Sequence, residues 1–483
     1  MPIFRYVFCA TLALIALEPF VAHAAHDSAI DTRFNPIGTD PGWRRAYDNI
    51  QPTADQIFAG ASRAHDGGYV MAGSVAGGVG GQLIFLAKFR PDGAYDASFG
   101  GTAGTGSAGS GRVLKDANLT SVTAMTIDAQ GRIVVVGETS GTLGQSDFGV
   151  VRFNPNGTDD TSFAGDGSTY IGFDLDTAHG RAKDVPTSVT TAPDGSVYVA
   201  GRVEDITVPG GFATKRVGVA KLMPDGSNTN TGYGTLPYGR QIFYCNYGCE
   251  NVASATIVFD VPRNRLVIGG AFYLGDNDSD WFITTQNFGT TPSVQTAPYT
   301  IDFGGGSGNE LAFMNSLAVQ ADGKIIALGF AYDVNQDYVS VVLRVHSSSL
   351  SGDGSFGNIP GSGIMLIPMT DAVYCDLAID SSGRIVLAGS FGGFEAGLVT
   401  RLMPANGAID TTFTGNTSPA IYYSRTSNGT SLAYTTFFGR VFLDSGRPVL
   451  AGMAPDSPTA PTDFDLIITR LQADPIFTNG FQP

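Results

Sequence analysis

Apolar residues along this chain come in short runs bounded by Gly, Asp, Asn and Ser, the pattern of strands separated by turns. The clearest run is GRIVVVG, Gly131 to Gly137: a turn, five strand residues and a closing glycine. It recurs as GGYVMAG ending at Gly73, GSVYVAG at Gly201 and NRLVIGG at Gly270. Further copies are GKIIALG ending at Gly329, GRIVLAG at Gly389 and GRPVLAG at Gly452. Self-similarity at a period of this size marks a repeat architecture.

The full unit reads most clearly from Thr120 to Phe173. SVTAMTID is a first strand, Gln130-Gly131 a turn and IVVVGE a second strand. DFGVVRF, Asp147 to Phe153, is a third, and Asn154-Pro155-Asn156-Gly157 turns into TDDTSFAGDGSTYIGF, which carries a fourth. Tight turns of this composition need positive φ and join antiparallel neighbours. The first turn recurs as Asp66-Gly67, Asp194-Gly195, Arg263-Asn264, Asp322-Gly323, Ser382-Gly383 and Ser445-Gly446. The second recurs as Pro91-Asp92-Gly93, Pro224-Asp225-Gly226 and Asn406-Gly407, while the fourth and fifth units depart from it with NFGTTPS and HSSSL.

Four-stranded antiparallel units that cannot each bury both faces must stack, and around a ring they form a β-propeller. The expectation is an all-β, seven-bladed β-propeller over residues 25–474. The seventh unit has three strands and no full fourth. Ile30-Asp31-Thr32-Arg33-Phe34 matches Ile409-Asp410-Thr411-Thr412-Phe413, so the N-terminal fragment is an orphan fourth strand. It is expected to complete the last blade and lock the ring; an open solenoid would leave both end units uncapped.

FLAKFRPDGAYDASFG, Phe85 to Gly100, and DFGVVRFNPNGTDDTSF, Asp147 to Phe163, resemble the delta-60 repeat family. The resemblance runs through nearly the whole mature chain and is weakest in the fourth unit. It implies the fold and a secreted, bacterial context, and it implies no activity. The last residues, PIFTNGFQP (475–483), resemble an IF-x-N-G-F-E ending of secreted Gram-negative proteins, with Gln482 where an acid is usual. They are expected to be either a sorting tag or a plain terminal tail.

Charge narrows the partners. The formal charge is −16 from 28 Lys+Arg against 44 Asp+Glu, which disfavours nucleic acid and anionic membrane surfaces. Residues 1–24 read as a signal peptide: Arg5, an apolar Val7 to Leu17 and an Ala22-His23-Ala24 cleavage site. The protein is therefore expected to be secreted, periplasmic or at the cell surface, without a transmembrane segment, and a monomer. In that compartment Cys245 and Cys249 are candidates for a disulfide, and Cys375, in a first strand, reads as a buried thiol.

Candidate chemistry is sparse. The nearest approach to a nucleophile elbow, Gly60-Ala61-Ser62-Arg63-Ala64, lacks the second glycine. His26, His65, His179 and His346 are scattered over different units or the N-terminus, so no triad is expected. No cofactor is implied, with calcium as the exception to weigh. Asp276, Asp278 and Asp280 put alternate carboxylates in one loop, which suits a hard cation; yet Asp280 aligns with Asp147 and Asp337 as part of the repeat, which favours a structural role. Just before the first strand, six units carry an acid: Asp55, Asp116, Asp184, Glu250, Glu310 and Asp371. Around a central channel these would form an acidic ring able to hold a cation or basic ligand, or would serve as loop hydrogen-bond acceptors. A cation recurs at the end of the third strand, as Lys88, Arg152, Lys221, Arg344, Arg401 and Arg470, and reads as an ion pair with the repeat's own Asp.

The reading that follows is a secreted non-enzymatic binding or scaffold protein, offering a propeller face to a protein or glycan. A channel-centred, metal-assisted lyase or hydrolase is the enzymatic alternative, and a cell-envelope structural protein the third.

Overall fold

The structure is a computed structural model that describes residues 30–36, 42–46, 56–100, 110–139, 145–175, 182–205, 214–229, 231–243, 251–275, 278–288, 299–301, 311–332, 338–369, 371–392, 396–414, 420–423, 426–427, 430–431, 436–457 and 460–472. Residues 1–24, read above as a signal peptide, and residues 475–483 lie outside these residues.

Strands pair antiparallel into five four-stranded sheets, one seven-stranded sheet and a two-stranded ribbon. Among the described residues, helix is limited to a 3-10 turn at Val261–Arg263 and one turn at Thr411–Thr414, and no helix is long and apolar enough to cross a membrane. The third repeat shows the plan: Val185–Thr191, Val197–Asp205, Thr214–Leu222 and Arg240–Phe243 pair in meander order. The seven-stranded sheet departs from separate units. Arg112–Ile127 is one strand of 16 residues. Its first half pairs with Gln82–Phe89 and its second with Ile133–Thr139. It closes the first repeat and opens the second, bending at Asn118, whose φ is 55°.

The recurring glycine has a steric cause. In six repeats the first strand carries a register shift opposite it, as between Val122 and Ala124 or Tyr374 and Asp376, while in the fourth the shift lies opposite Phe272, beyond Gly270. The bulge pushes a carbonyl against the second strand. A Cβ on Gly137 would lie 2.0 Å from the Ser121 oxygen, and one on Gly389 2.0 Å from the Val373 oxygen. Only glycine lets the strands approach there. Turn chemistry is equally local. Asp128 Oδ1 accepts the Gln130 and Arg132 amides at 2.9 Å, and Gly131 adopts φ 80°. In the fourth repeat Asn264 takes the left-handed place, with φ 47°.

The apolar core lies between repeats. One cluster joins Ala200, Val217 and Val219 to Ala255, Phe272 and Phe282 of the next repeat. Another joins Val449, Ala451, Leu466 and Ile468 of the last repeat to Phe58, Tyr69, Met71 and Phe85 of the first. The N-terminal fragment contributes to both faces of the last repeat. Trp43–Ala46 pairs antiparallel with Ala460–Arg470, Trp43 opposite Thr469 and Ala46 opposite Leu466. Arg45 bonds Asp465 at 3.0 Å, and the Thr469 hydroxyl donates to the Gly42 carbonyl at 2.7 Å.

Candidate functional site

The side chains that the repeat places most regularly are a third-strand cation, an Asp eight or nine residues on and an aromatic ring three beyond it. In the second repeat Arg152 Nε donates to Asp160 at 2.7 Å, its guanidinium lies 4.3 Å from the Phe163 ring, and Nη1 donates to the Pro224 carbonyl of the next repeat at 2.7 Å. Arg344 repeats the set with Asp353, Phe356 and the Pro404 carbonyl. Asp160 would be raised by burial, but Ser162 and Arg152 hold its carboxyl below the ordinary range. The aromatic ring packs on the glycine of the following turn: a Cβ on Gly226 would sit 3.0 Å from Phe163, and one on Gly407 2.7 Å from Phe356. The sequence reading of this cation as paired with the repeat's Asp holds for Lys88, Arg152, Arg344, Arg401 and Arg470, but not for Lys221, whose ammonium donates to the Thr231 carbonyl at 3.2 Å. Its reach into the next repeat was missed, because the acceptor is a backbone carbonyl. In the fourth repeat Arg265, on the second strand, takes over, bonding Asp260 at 2.8 Å and the Ser347 carbonyl at 2.6 Å.

The six acids placed before first strands have unlike fates. Asp55, Glu250 and Glu310 lie outside the described residues. Asp116 is exposed and accepts the Val79 amide at 2.9 Å and the Asn118 amide at 3.1 Å. Asp371 is exposed with a φ of 59°. Asp184 is only 1% exposed.

Around Asp184 the structure gathers carboxylates that the sequence did not group. Antiparallel pairing brings the starts of first and third strands and the ends of second and fourth strands to one end of a sheet. Asp184 precedes the first strand of the third repeat, Asp147 precedes a third strand, and Asp174 follows a fourth. The Phe173 amide donates to Asp184 Oδ2 at 2.6 Å. A Cβ on Gly172 would lie 2.6 Å from Asp147 Oδ1 and 3.1 Å from Asp174 Oδ1. Arg240 donates to the Gly172 carbonyl and stands 3.5 Å from Asp174. Asp184 Oδ1 lies within electrostatic reach of the Glu204 amide, yet it makes no hydrogen bond of acceptable geometry. Burial, together with Asp147 and Asp174, pushes the Asp184 carboxyl up to about 7. Burial and Asp174 raise Asp147 as well. Chemically this cluster holds a proton near neutral pH on the buried Asp184, with Asp147 half-buried and Asp174 exposed beside it. The signal that could have found it is three acids at strand ends that share one end of adjacent sheets.

The calcium reading is corrected in one respect. Asp278 and Asp280 belong to the strand Asp278–Asn287, so they are strand residues and not members of a loop. Asp280 is buried opposite Phe272, and Asp276 lies outside the described residues. Among the described residues no group of three acidic, His or Cys side chains could grip a metal ion. Cys375 is also corrected: it is disulfide-bonded, not a free thiol. It is half-buried on the strand Ala372–Ile379. Its partner, like Cys245 and Cys249, lies outside the described residues.

No curated protein matches the chain in sequence. Solved structures show distant likeness. A polysaccharide lyase, Uly1, aligns at TM-score 0.42 and 12% identity over 89% of this chain and 92% of that one. The β-propeller domain of the Trilobed protease from Pyrococcus furiosus aligns at 0.41 and 8% over 86% and 95%. The GH93 alpha-L-arabinofuranosidase of Fusarium graminearum aligns at 0.40 and 10% over 72% and 91%. At these scores the likeness carries nothing about function. Residues 130–163, 320–356 and 381–413 match the family described as "Domain of unknown function (DUF5122) beta-propeller". Each segment begins at or beside the first turn and ends at or next to the Asp-x-x-Phe ring, so the chain is a β-propeller repeat protein.

Proposed function

We propose that the chain is a closed, seven-bladed propeller that works as a secreted, non-enzymatic binding or scaffold module, offering one face to a protein or glycan. One observation carries this reading. Arg152, Arg265 and Arg344 are buried in ion pairs within their own repeats and also bond a backbone carbonyl of the next, so the repeated chemistry serves rigidity. Arg470, Asp31 and Phe34 form the same set across the chain's ends, with Pro91 as the acceptor in the first repeat. That set supports a ring in which the last repeat docks on the first like any other pair. A rigid ring leaves the loops at its two ends free to vary, which suits recognition. The acidic surface favours neutral or basic partners.

The test is a panel of soluble polysaccharides and secreted proteins offered to the mature protein, residues 25–483. Binding without release of reducing ends or unsaturated products is the expected result. Turnover of any panel member would overturn the non-enzymatic reading and favour the channel-centred enzyme. Deleting residues 25–46 tests the ring separately: a large loss of stability is expected, and an unchanged unfolding transition would sink closure.

A further inference from the structure

Arg45, Arg152, Arg265, Arg344, Arg401 and Arg470, the well-buried arginines of the repeat cores, each face a carboxylate within 3.0 Å. Arg202 and Lys215 differ from that set. Both are half-buried. Neither side chain has a hydrogen bond or ion pair among the described residues, and Arg202 Nε is shielded from solvent without an acceptor. A guanidinium donor left dry and unbonded is destabilising unless something fills the site.

Register shows why the two belong together. Arg202 pairs with Val217 and Glu204 with Lys215 in an unbroken antiparallel ladder. Alternate residues share a face, so Arg202 and Lys215 are diagonal neighbours, roughly 7–8 Å apart. The same face carries Tyr198, Ala200, Val217 and Val219, which pack on Ala255, Phe272 and Phe282 of the fourth repeat. The two cations therefore sit where that apolar contact ends, in the crevice between the third and fourth repeats. Glu204, the acid on this face, accepts the Lys183 amide at 3.1 Å and forms no ion pair with Lys215. Burial and Arg202 hold the Lys215 ammonium below its ordinary value, against the weaker opposing attraction of Glu204 across the ladder. Two like charges kept side by side, in a protein of net charge −16, are an electrostatic cost that an anion between them would remove.

We propose that Arg202 and Lys215 form a binding site for an oxyanion, the carboxylate, sulfate or phosphate group of a small ligand, in the crevice between the third and fourth repeats. Arg202 supplies a planar fork that fits two oxygens, and Lys215 a point charge. The site goes beyond the scaffold reading and does not depend on it.

Lysine acetylation of the mature protein, followed residue by residue by mass spectrometry, tests the site directly. Phosphate, sulfate and acetate are the probes, each against sodium chloride at matched ionic strength. The expected result is a several-fold slowing of acetylation at Lys215, with Lys115 and Lys324 unaffected. Melting temperature should rise with the same anion, following ligand linkage. Protection by acetate as well as by the tetrahedral anions would mark a carboxylate source; protection by sulfate and phosphate alone would mark their esters. Arg202→Gln should abolish protection, and Arg202→Lys, which keeps the charge and loses the fork, should retain part of it. Equal acetylation of Lys215 in all four salts would overturn the proposal. So would undiminished protection in a folded Arg202→Gln protein.

Discussion

Arg470 and Asp31 are 439 residues apart in sequence, and their side chains meet at 2.9 Å with 7% and 1% exposure. Arg470 also donates to the Pro91 carbonyl at 2.7 Å and lies over the Phe34 ring, whose edge packs on Gly93. One guanidinium thus ties the N-terminal fragment, the last repeat and the first repeat together. Burial alone would raise Asp31, but Arg33 and Arg470 hold its carboxyl below the usual range.

Removing Asp31 leaves Arg470 and Arg447 to share Asp444 as their one remaining carboxylate among the described residues, at 3.5 and 3.1 Å. Breaking a buried pair by deleting one partner costs about 3–5 kcal/mol. Asp31→Ala should lower the denaturant midpoint accordingly, with Arg33→Ala, on a side chain that is 77% exposed, as a control of small effect. Equal losses from the two variants would show that Arg470 does not depend on Asp31.

The closing glycine makes a second prediction. Gly137→Ala would place a methyl 2.0 Å from the Ser121 carbonyl oxygen, between two hydrogen-bonded strands. Forced overpacking of this kind costs about 1–3 kcal/mol or more. Gly165 has φ 91° and nothing within 4 Å of its added Cβ, so Gly165→Ala should cost only the left-handed penalty, about 1–2 kcal/mol. Urea denaturation of both variants checks the ranking, and a milder effect at Gly137 than at Gly165 would refute the steric account of the repeat's signature.

Much of the fold was legible because local backbone geometry fixed it. Gly131 at φ 80° and Asn264 at φ 47° are demanded by the turns they form, so turn residues reveal strands and the strands reveal units. The match of Ile30–Phe34 to Ile409–Phe413 revealed a fragment in search of a partner, and Trp43–Ala46 pairs where that match asks. Sites were harder to read for a physical reason. Asp147, Asp174 and Asp184 come from two repeats and meet only through packing; Asp184 looked like a channel acid because its neighbours in sequence do not report its burial. Arg202 and Lys215 look like ordinary surface cations until register places them on one face. The strand beginning at Asp278 shows the opposite error, in which alternating acids that suggested a cation loop belong to a pleated strand.

Asp184 gives a pH prediction with a definite sign. Its carboxyl titrates at about 7 when folded, against about 4 in an unfolded chain. The folded state therefore binds the proton more tightly. The stability it contributes is complete below about pH 4 and is lost as pH rises through about 7. Asp147, raised by burial and by Asp174, acts in the same direction. Asp184→Asn keeps an acceptor for the Phe173 amide and removes the titration. It should leave stability near wild type at pH 4–5 and exceed it at pH 8, on the order of 1–3 kcal/mol. Thermal melts across that range provide the check; a variant that lost stability equally at both ends would show that Asp184 is ionised in the folded protein.

Cys375 carries the last prediction. It is disulfide-bonded, and the chain's other cysteines are Cys9, Cys245 and Cys249. Cys9 falls within the stretch read as a signal peptide, so the mature protein should hold Cys375 linked to Cys245 or Cys249. Either link would tie the strand Ala372–Ile379 to residues two repeats earlier and close a long loop in the unfolded chain. A loop of that length constrains the unfolded state by about 4–5 kcal/mol in the chain-entropy account. Peptide mapping without reductant should find the cross-linked pair, and reduction should lower the melting temperature. Cys245→Ser and Cys249→Ser then separate the two partners: the substitution that frees Cys375 identifies the bonded residue, and its melting temperature should match that of the reduced wild type. A map in which Cys245 joins Cys249 and Cys375 is alkylated without reduction would refute the link.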